Sequence, residues 1–140
     1  FLDNGGFMRL GDSAERFSRV LLVAATNKNL QEEIAAGRFR EDLYPRLSEL
    51  SIRLPSLNER REDIPDLAVH FLGKLFRTYR GPEEEPEETP ILSAEAQRIL
   101  VNHSFKGNIR ELRNVVERLI ILSDTIIRLG DVQKYVLPQK

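Results

Sequence analysis

Apolar and polar positions follow two different patterns along this chain, and the change falls near Asn58. Before it, Arg19 to Thr26 (R-V-L-L-V-A-A-T) is a short continuous apolar run, the pattern of a strand buried on both faces in a parallel sheet covered by helices. Glu49 to Leu54 (E-L-S-I-R-L) alternates apolar and polar and stops at Pro55, which predicts a second strand nearer a sheet edge. Asn29 is placed to cap a short helix ending at Gly37. Phe1 to Asp3 reads as the end of a helix stopped by Asn4-Gly5-Gly6, and Phe7 to Ser13 as a loop or short hairpin.

From Asn58 onward the spacing is helical. Asp63 is placed to cap a helix with Pro65 in its first turn, and Ile64, Leu67, Ala68, Phe71, Leu72 and Leu75 form one apolar face through Phe76. Gly81 to Pro90 is an acidic, proline-rich loop expected to be solvated. Ser93 caps a helix carrying Ile99 and Leu100; after the turn His103 to Gly107, Asn108 caps another, with Glu111 completing a capping box. That helix is expected to bury Ile109, Leu112, Val116, Leu119 and Ile120 and to expose Arg110, Arg113, Asn114 and Glu117. Thr125 to Leu129 is a short pairing segment, followed from Asp131 by a final helical turn before Pro138. The fold class is α/β: the end of a parallel-sheet domain followed by a small, all-helical subdomain.

Composition narrows the chemistry. The chain has 140 residues, 41% apolar and 31% charged, with a formal charge of −1, so a nucleic-acid role would need a local basic patch. It has no cysteine, which excludes disulfides, thiolate catalysis and cysteine-ligated zinc. No apolar run approaches the ~20 residues that span a membrane. The two histidines, His70 and His103, have no partners at metal-ligand spacing, and no Gly-rich phosphate loop or Ser-His-Asp set is present.

What remains are arginines at element ends. Gly37 to Leu47 (G-R-F-R-E-D-L-Y-P-R-L) sets Arg40 and Arg46 among the anchors Phe39, Leu43, Tyr44 and Leu47. Two such guanidiniums suit phosphate binding, or the segment is a surface helix with ion pairs from Arg38 to Glu41 or Asp42. Arg110, in the first turn of a capped helix, suits an anion, or it pairs with an acid such as Glu117. Asn27 ends the first strand, where ligands of open parallel sheets sit, although Asn there is also an ordinary turn residue. The two helices from Ser93 to Leu122, joined by a Gly-containing turn, could also form a helix-turn-helix DNA-binding module, with Glu111 and Glu117 counting against it on the outward face.

Four ordered segments carry a resemblance: R-V-L-L-V-A-A-T-N-K-N-L, G-R-F-R-E-D-L-Y-P-R-L, L-P-S-L-N-E-R-R-E-D-I-P and G-N-I-R-E-L-R-N-V-V-E-R. Together they look like the AAA+ ATPase domain of sigma-54-dependent bacterial enhancer-binding transcription activators, the NtrC-like family. The resemblance covers nearly the whole chain. It implies that residues 1–57 are the distal part of a P-loop-type AAA+ α/β core and 58–140 its helical lid, with Walker A, Walker B and the sigma-contacting loop upstream. By position, Asn27 resembles sensor I, Arg40 and Arg46 the arginine fingers that reach a neighbouring subunit's nucleotide, Arg110 the sensor II arginine of the lid, and Phe7 to Ser13 the insertion loop before sensor I. The implied cofactor is ATP, with Mg2+ held by residues outside this chain. The implied partners are further copies in a hexameric or heptameric ring, sigma-54 RNA polymerase, and enhancer DNA through a separate domain, all in the bacterial cytoplasm. A piece without a phosphate loop is expected not to hydrolyse ATP alone, and a hydrolysis-deficient AAA+ scaffold is the other reading within this family. Three positions depart from the family pattern: Pro45 before the second finger, Asn58 in place of an arginine, and Phe105-Lys106 in place of Trp-Pro. Pro45 predicts a helix start or break between Glu41 and Tyr44, with Asp42 as a possible cap.

Overall fold

The computed structural model describes residues 1–80 and 89–136. The chain divides into two compact units, Phe1–Arg53 and Leu54–Lys140. Most of the acidic loop from Gly81 to Pro90, and Pro138, lie outside the described residues.

In the first unit, residues 1–4 form a turn closed by the Gly5 N–H donating to the Phe1 carbonyl at 2.8 Å, so only a single turn stands where a helix end was expected. Strands β1 (Gly6–Met8) and β2 (Glu15–Phe17) then pair antiparallel with Phe7 opposite Arg16, making Phe7 to Ser13 part of a hairpin. Helix α1 (Leu30–Ala35) starts where Asn29 predicts: its side chain accepts from the Gln31 N–H at 3.1 Å and donates to Glu32 at 3.0 Å. Gly37, at φ +71°, follows its C-terminus in the left-handed conformation that glycine adopts without penalty. Helix α2 is a single turn, Tyr44–Leu47, with Pro45 in its first turn, where the missing N–H costs little. Its N-cap is Leu43 rather than Asp42, because the Asp42 carboxylate is taken up by Arg40.

The two expected strands of this unit do not form. Arg19 to Thr26 and Glu49 to Leu54 have no regular secondary structure, and Leu21, Val23, Leu50 and Ile52 are 92%, 81%, 84% and 76% exposed. A parallel strand is defined by ladders to its neighbours, and neither run has a paired neighbour among the described residues. No residue of 1–53 is fully buried.

The second unit holds the core. Two 3-10 turns, Leu57–Glu59 and Arg61–Asp63, lead into α3 (Ile64–Arg80). Its stripe packs as expected: Ile64, Ala68, Leu72, Leu75 and Phe76 are buried, with Leu67 and Phe71 partly so. The Asp63 carboxylate accepts from Arg60, one turn back. Short strands β3 (Ile91–Leu92) and β4 (Ile126–Ile127) pair parallel, so this helical unit carries one small ladder, with the expected pairing segment as one side of it. Helix α4 (Ala94–Asn102) is capped by Ser93, whose hydroxyl accepts from the Ala96 N–H at 3.2 Å. Helices α5 (Asn108–Leu122) and α6 (Leu129–Tyr135) complete the unit. Helix α5 buries Leu112, Val115, Val116 and Leu119. Ile109, expected inside, is 41% exposed in the first turn, and Val115 takes its place because 112, 115, 116 and 119 share one helical face.

Candidate functional site

The four candidate residues fall in both units, each at the end of an element. Asn27 lies in a bend before α1 and is exposed; beside it, the Lys28 N–H donates to the Thr26 hydroxyl at 3.1 Å. The chain reaches Asn27 without the strand that was expected to present it.

Arg40 and Arg46 flank the start of α2. Arg40 grips Asp42 with two parallel bonds, Nε to Oδ1 at 3.0 Å and Nη2 to Oδ2 at 2.6 Å, while its side chain stays 73% exposed. The hydrogen bond from Arg40 holds the Asp42 carboxyl below its usual range, and Asp42 raises Arg40 in turn. Arg46 Nε meets Asp3 Oδ1 at 3.0 Å, and both side chains are exposed. Exposed pairs of this kind are individually weak and screened by solvent, so a phosphate can displace the carboxylate. Arg38 does not pair with Glu41 or Asp42; it reaches back to Glu33 with bonds of 2.9 and 3.0 Å, bracing the turn after α1. The segment therefore presents two separately held arginines, Arg40 before the start of α2 and Arg46 within its single turn, rather than one continuous helical face.

Arg110 occupies the first turn of α5. The alternative reading, pairing with an acid such as Glu117, does not form: Glu117 bonds Arg113 and the Tyr79 hydroxyl, and the tyrosine's proton is held more tightly by that acid. Glu111 accepts from the Gly107 N–H at 2.6 Å and lies 3.6 Å from His103. Arg110 is exposed and has no ion-pair or hydrogen-bond partner among the described residues. It stands in the first turn of a fifteen-residue helix, at the positive end of the helix dipole, a position that favours an anion.

The start of α5 differs from the expected capping box. The N-cap is Gly107, not Asn108, and Asn108 has φ +53°. Glu111 folds back so closely that a Cβ at Gly107 would stand 2.9 Å from its Cβ, which explains glycine there. The Asn108 side chain is spent elsewhere: Oδ1 accepts from the Leu57 N–H at 2.9 Å. Asn58 brackets Phe105, Oδ1 accepting from its N–H at 2.9 Å and Nδ2 donating to its carbonyl at 3.3 Å. Sequence spacing could not show these contacts, because the partners lie about 50 residues apart along the chain.

Two family models match this chain. Residues 58–140 match the AAA+ ATPase lid domain, and residues 1–53 match the sigma-54 interaction domain. The nitrogen assimilation regulatory protein NtrX of Azorhizobium caulinodans is 46% identical over 84% of this chain and 24% of its own length. The alginate biosynthesis transcriptional regulatory protein AlgB of Pseudomonas syringae is 43% identical over 87% of this chain and 26% of its own length. The crystal structure of Brucella abortus NtrX in complex with ADP superposes with a TM-score of 0.76 at 34% identity, covering 93% of this chain and 29% of that one. A complex of the same protein with ATP gives 0.69 at 37% identity, over 86% of this chain and 27% of that one. The chain thus spans about a quarter of the length of the curated relatives it matches. With a lid match over more than half of its residues and a sigma-54 interaction match before it, this chain belongs to the AAA+ ATPase domain family of the sigma-54-dependent transcription activators.

Proposed function

We propose that this chain is the distal, nucleotide-responsive part of an ATPase that works as a ring and remodels sigma-54 RNA polymerase. Residues 1–57 supply the insertion loop, sensor I and the finger segment, and 58–140 form the lid. Asn27 orients water near the terminal phosphate of ATP. Arg40 and Arg46 reach the nucleotide of a neighbouring subunit, and Arg110 contacts phosphate in its own. The observation that carries this reading is Arg110, an exposed guanidinium in the first turn of a long helix, with no acid to neutralise it among the described residues.

The donor set suits a nucleoside triphosphate. All three arginines are exposed, and the carboxylates on Arg40 and Arg46 are weak, exchangeable stand-ins for phosphate oxygens. The NtrX complexes with ATP and ADP support the same ligand class. In this reading the Mg2+ that accompanies ATP is held by residues outside this chain. A finger supplied in trans neutralises charge developing on the transferred phosphoryl group, an effect worth about 10³–10⁵ in rate. It also makes hydrolysis depend on assembly, so this chain alone, without a phosphate loop, is inactive. Among the described residues no helix is long and apolar enough to cross a membrane; the bacterial cytoplasm is the compartment this reading implies, with enhancer DNA bound through a separate domain.

The test is made in the full-length protein. Arg40→Ala or Arg46→Ala is expected to abolish ATP hydrolysis while leaving ATP binding largely intact, and Arg110→Ala to weaken binding itself. Unchanged hydrolysis in both finger variants would reject the assignment, and a wild-type protein that assembles without hydrolysing ATP would favour a scaffold.

A further inference from the structure

The backbone that presents Arg110 is held by side chains from the segment that opens the second unit. Asn108, two residues before Arg110, is the one non-glycine residue with positive φ among the described residues. Left-handed backbone is tolerated by Asn better than by most residues, but it persists only where the surroundings enforce it. Here the enforcement is visible: Asn108 Oδ1 accepts from the N–H of Leu57, itself 2% exposed, at 2.9 Å. Asn58 meets both backbone groups of Phe105, whose ring is fully buried and stacked edge-on against His103. From the next turn, Arg61 Nη1 donates to the carbonyls of Val101 and His103 at 2.6 and 2.9 Å, closing the end of α4. Residues 101–108 are thus tied at four backbone groups by Asn58 and Arg61, and the Asn108 side chain anchors them in turn to the backbone of Leu57.

We propose that Asn58 and Asn108 are positioning residues for Arg110: together they fix the start of α5, so that the arginine is offered to phosphate from a preset point and direction. The inference rests on reading Arg110 as a phosphate contact and adds to it the machinery that aims it. The Arg110 side chain is long and exposed, so the precision of its approach comes from its Cα and the helix axis. Fixing both before the ligand arrives lowers the ordering cost of binding. The same bonds give the connector before α3 a direct hold on the nucleotide-sensing helix, because Leu57 and Asn58 belong to that connector.

The experiment is a double-mutant cycle in the full-length protein, reading ATP affinity and Tm together. Asn108→Gly removes the acceptor while keeping the left-handed conformation accessible, so the variant is expected to fold; Asn58→Ala removes the bracket on Phe105. Each is expected to weaken ATP binding about three- to tenfold, the scale of one or two lost hydrogen bonds, and neither to weaken it further once Arg110 is Ala. A lowered Tm with unchanged ATP affinity would overturn the inference, as would equal losses of affinity with and without Arg110. If Arg110→Ala alone leaves ATP affinity intact, the phosphate reading fails and this inference fails with it, whereas an Arg110→Ala loss that neither asparagine variant shares overturns the positioning role alone.

Discussion

Phe105 is the largest fully buried side chain among the described residues, and its backbone N–H and carbonyl are both bonded by Asn58. Phe105→Ala is therefore expected to cost about 3–5 kcal/mol, a cavity loss that urea unfolding of the chain can measure. Glu33 and Asp42 of the first unit are paired with arginines. The Arg38 hydrogen bonds hold the Glu33 carboxyl below its ordinary value, and Arg40 does the same for Asp42. A depressed carboxylate adds stability above its unfolded pKa and loses it as pH falls through the folded value. The brace after α1 and the Arg40 pair should accordingly persist at neutral pH and dissolve only below the usual carboxylate range. Carboxyl-carbon NMR titration would show Glu33 and Asp42 protonating below the ordinary carboxylate range; ordinary values for both would refute these pairs.

Elements were legible wherever a local rule decides them. Asn29 and Ser93 cap the helices their spacing marks, and the stripe from Ile64 to Leu75 packs as its period requires. Ser93→Ala should lower the stability of the second unit by about 1 kcal/mol in thermal or urea unfolding. Pro45→Ala should change stability by less than about 1 kcal/mol, because the proline already sits in the first turn of α2. The misreadings share a physical cause. Arg19 to Thr26 has the composition of a buried strand, but a ladder needs a paired neighbour, which composition does not supply. Asn108 was misassigned because the side chain that makes Asn a good cap also lets it accept from Leu57 at positive φ. The partners of Asn58 and Asn108 are set by tertiary packing and carry no signal in local spacing. At the candidate site, the placing of Arg40, Arg46 and Arg110 near element ends was legible from the sequence, whereas the carboxylates that hold Arg40 and Arg46 were not; the roles of all three are those proposed above.

At the scale of the molecule, the two units differ in self-sufficiency. Every buried apolar side chain lies in the second unit, while the first leaves Leu21, Val23, Leu50 and Ile52 in contact with solvent. Residues 54–140 alone should unfold in one cooperative transition, and residues 1–53 alone should show none by circular dichroism or calorimetry. The central claim, that Arg40 and Arg46 act on a neighbour's nucleotide, is tested most directly by mixing subunits of the full-length protein. One variant carries Arg46→Ala; the other keeps both arginines but is disabled in nucleotide binding at its phosphate loop. Each should be inactive alone, and the mixture should recover hydrolysis because intact arginines then face intact nucleotide sites. A mixture that assembles and remains inactive would contradict action in trans.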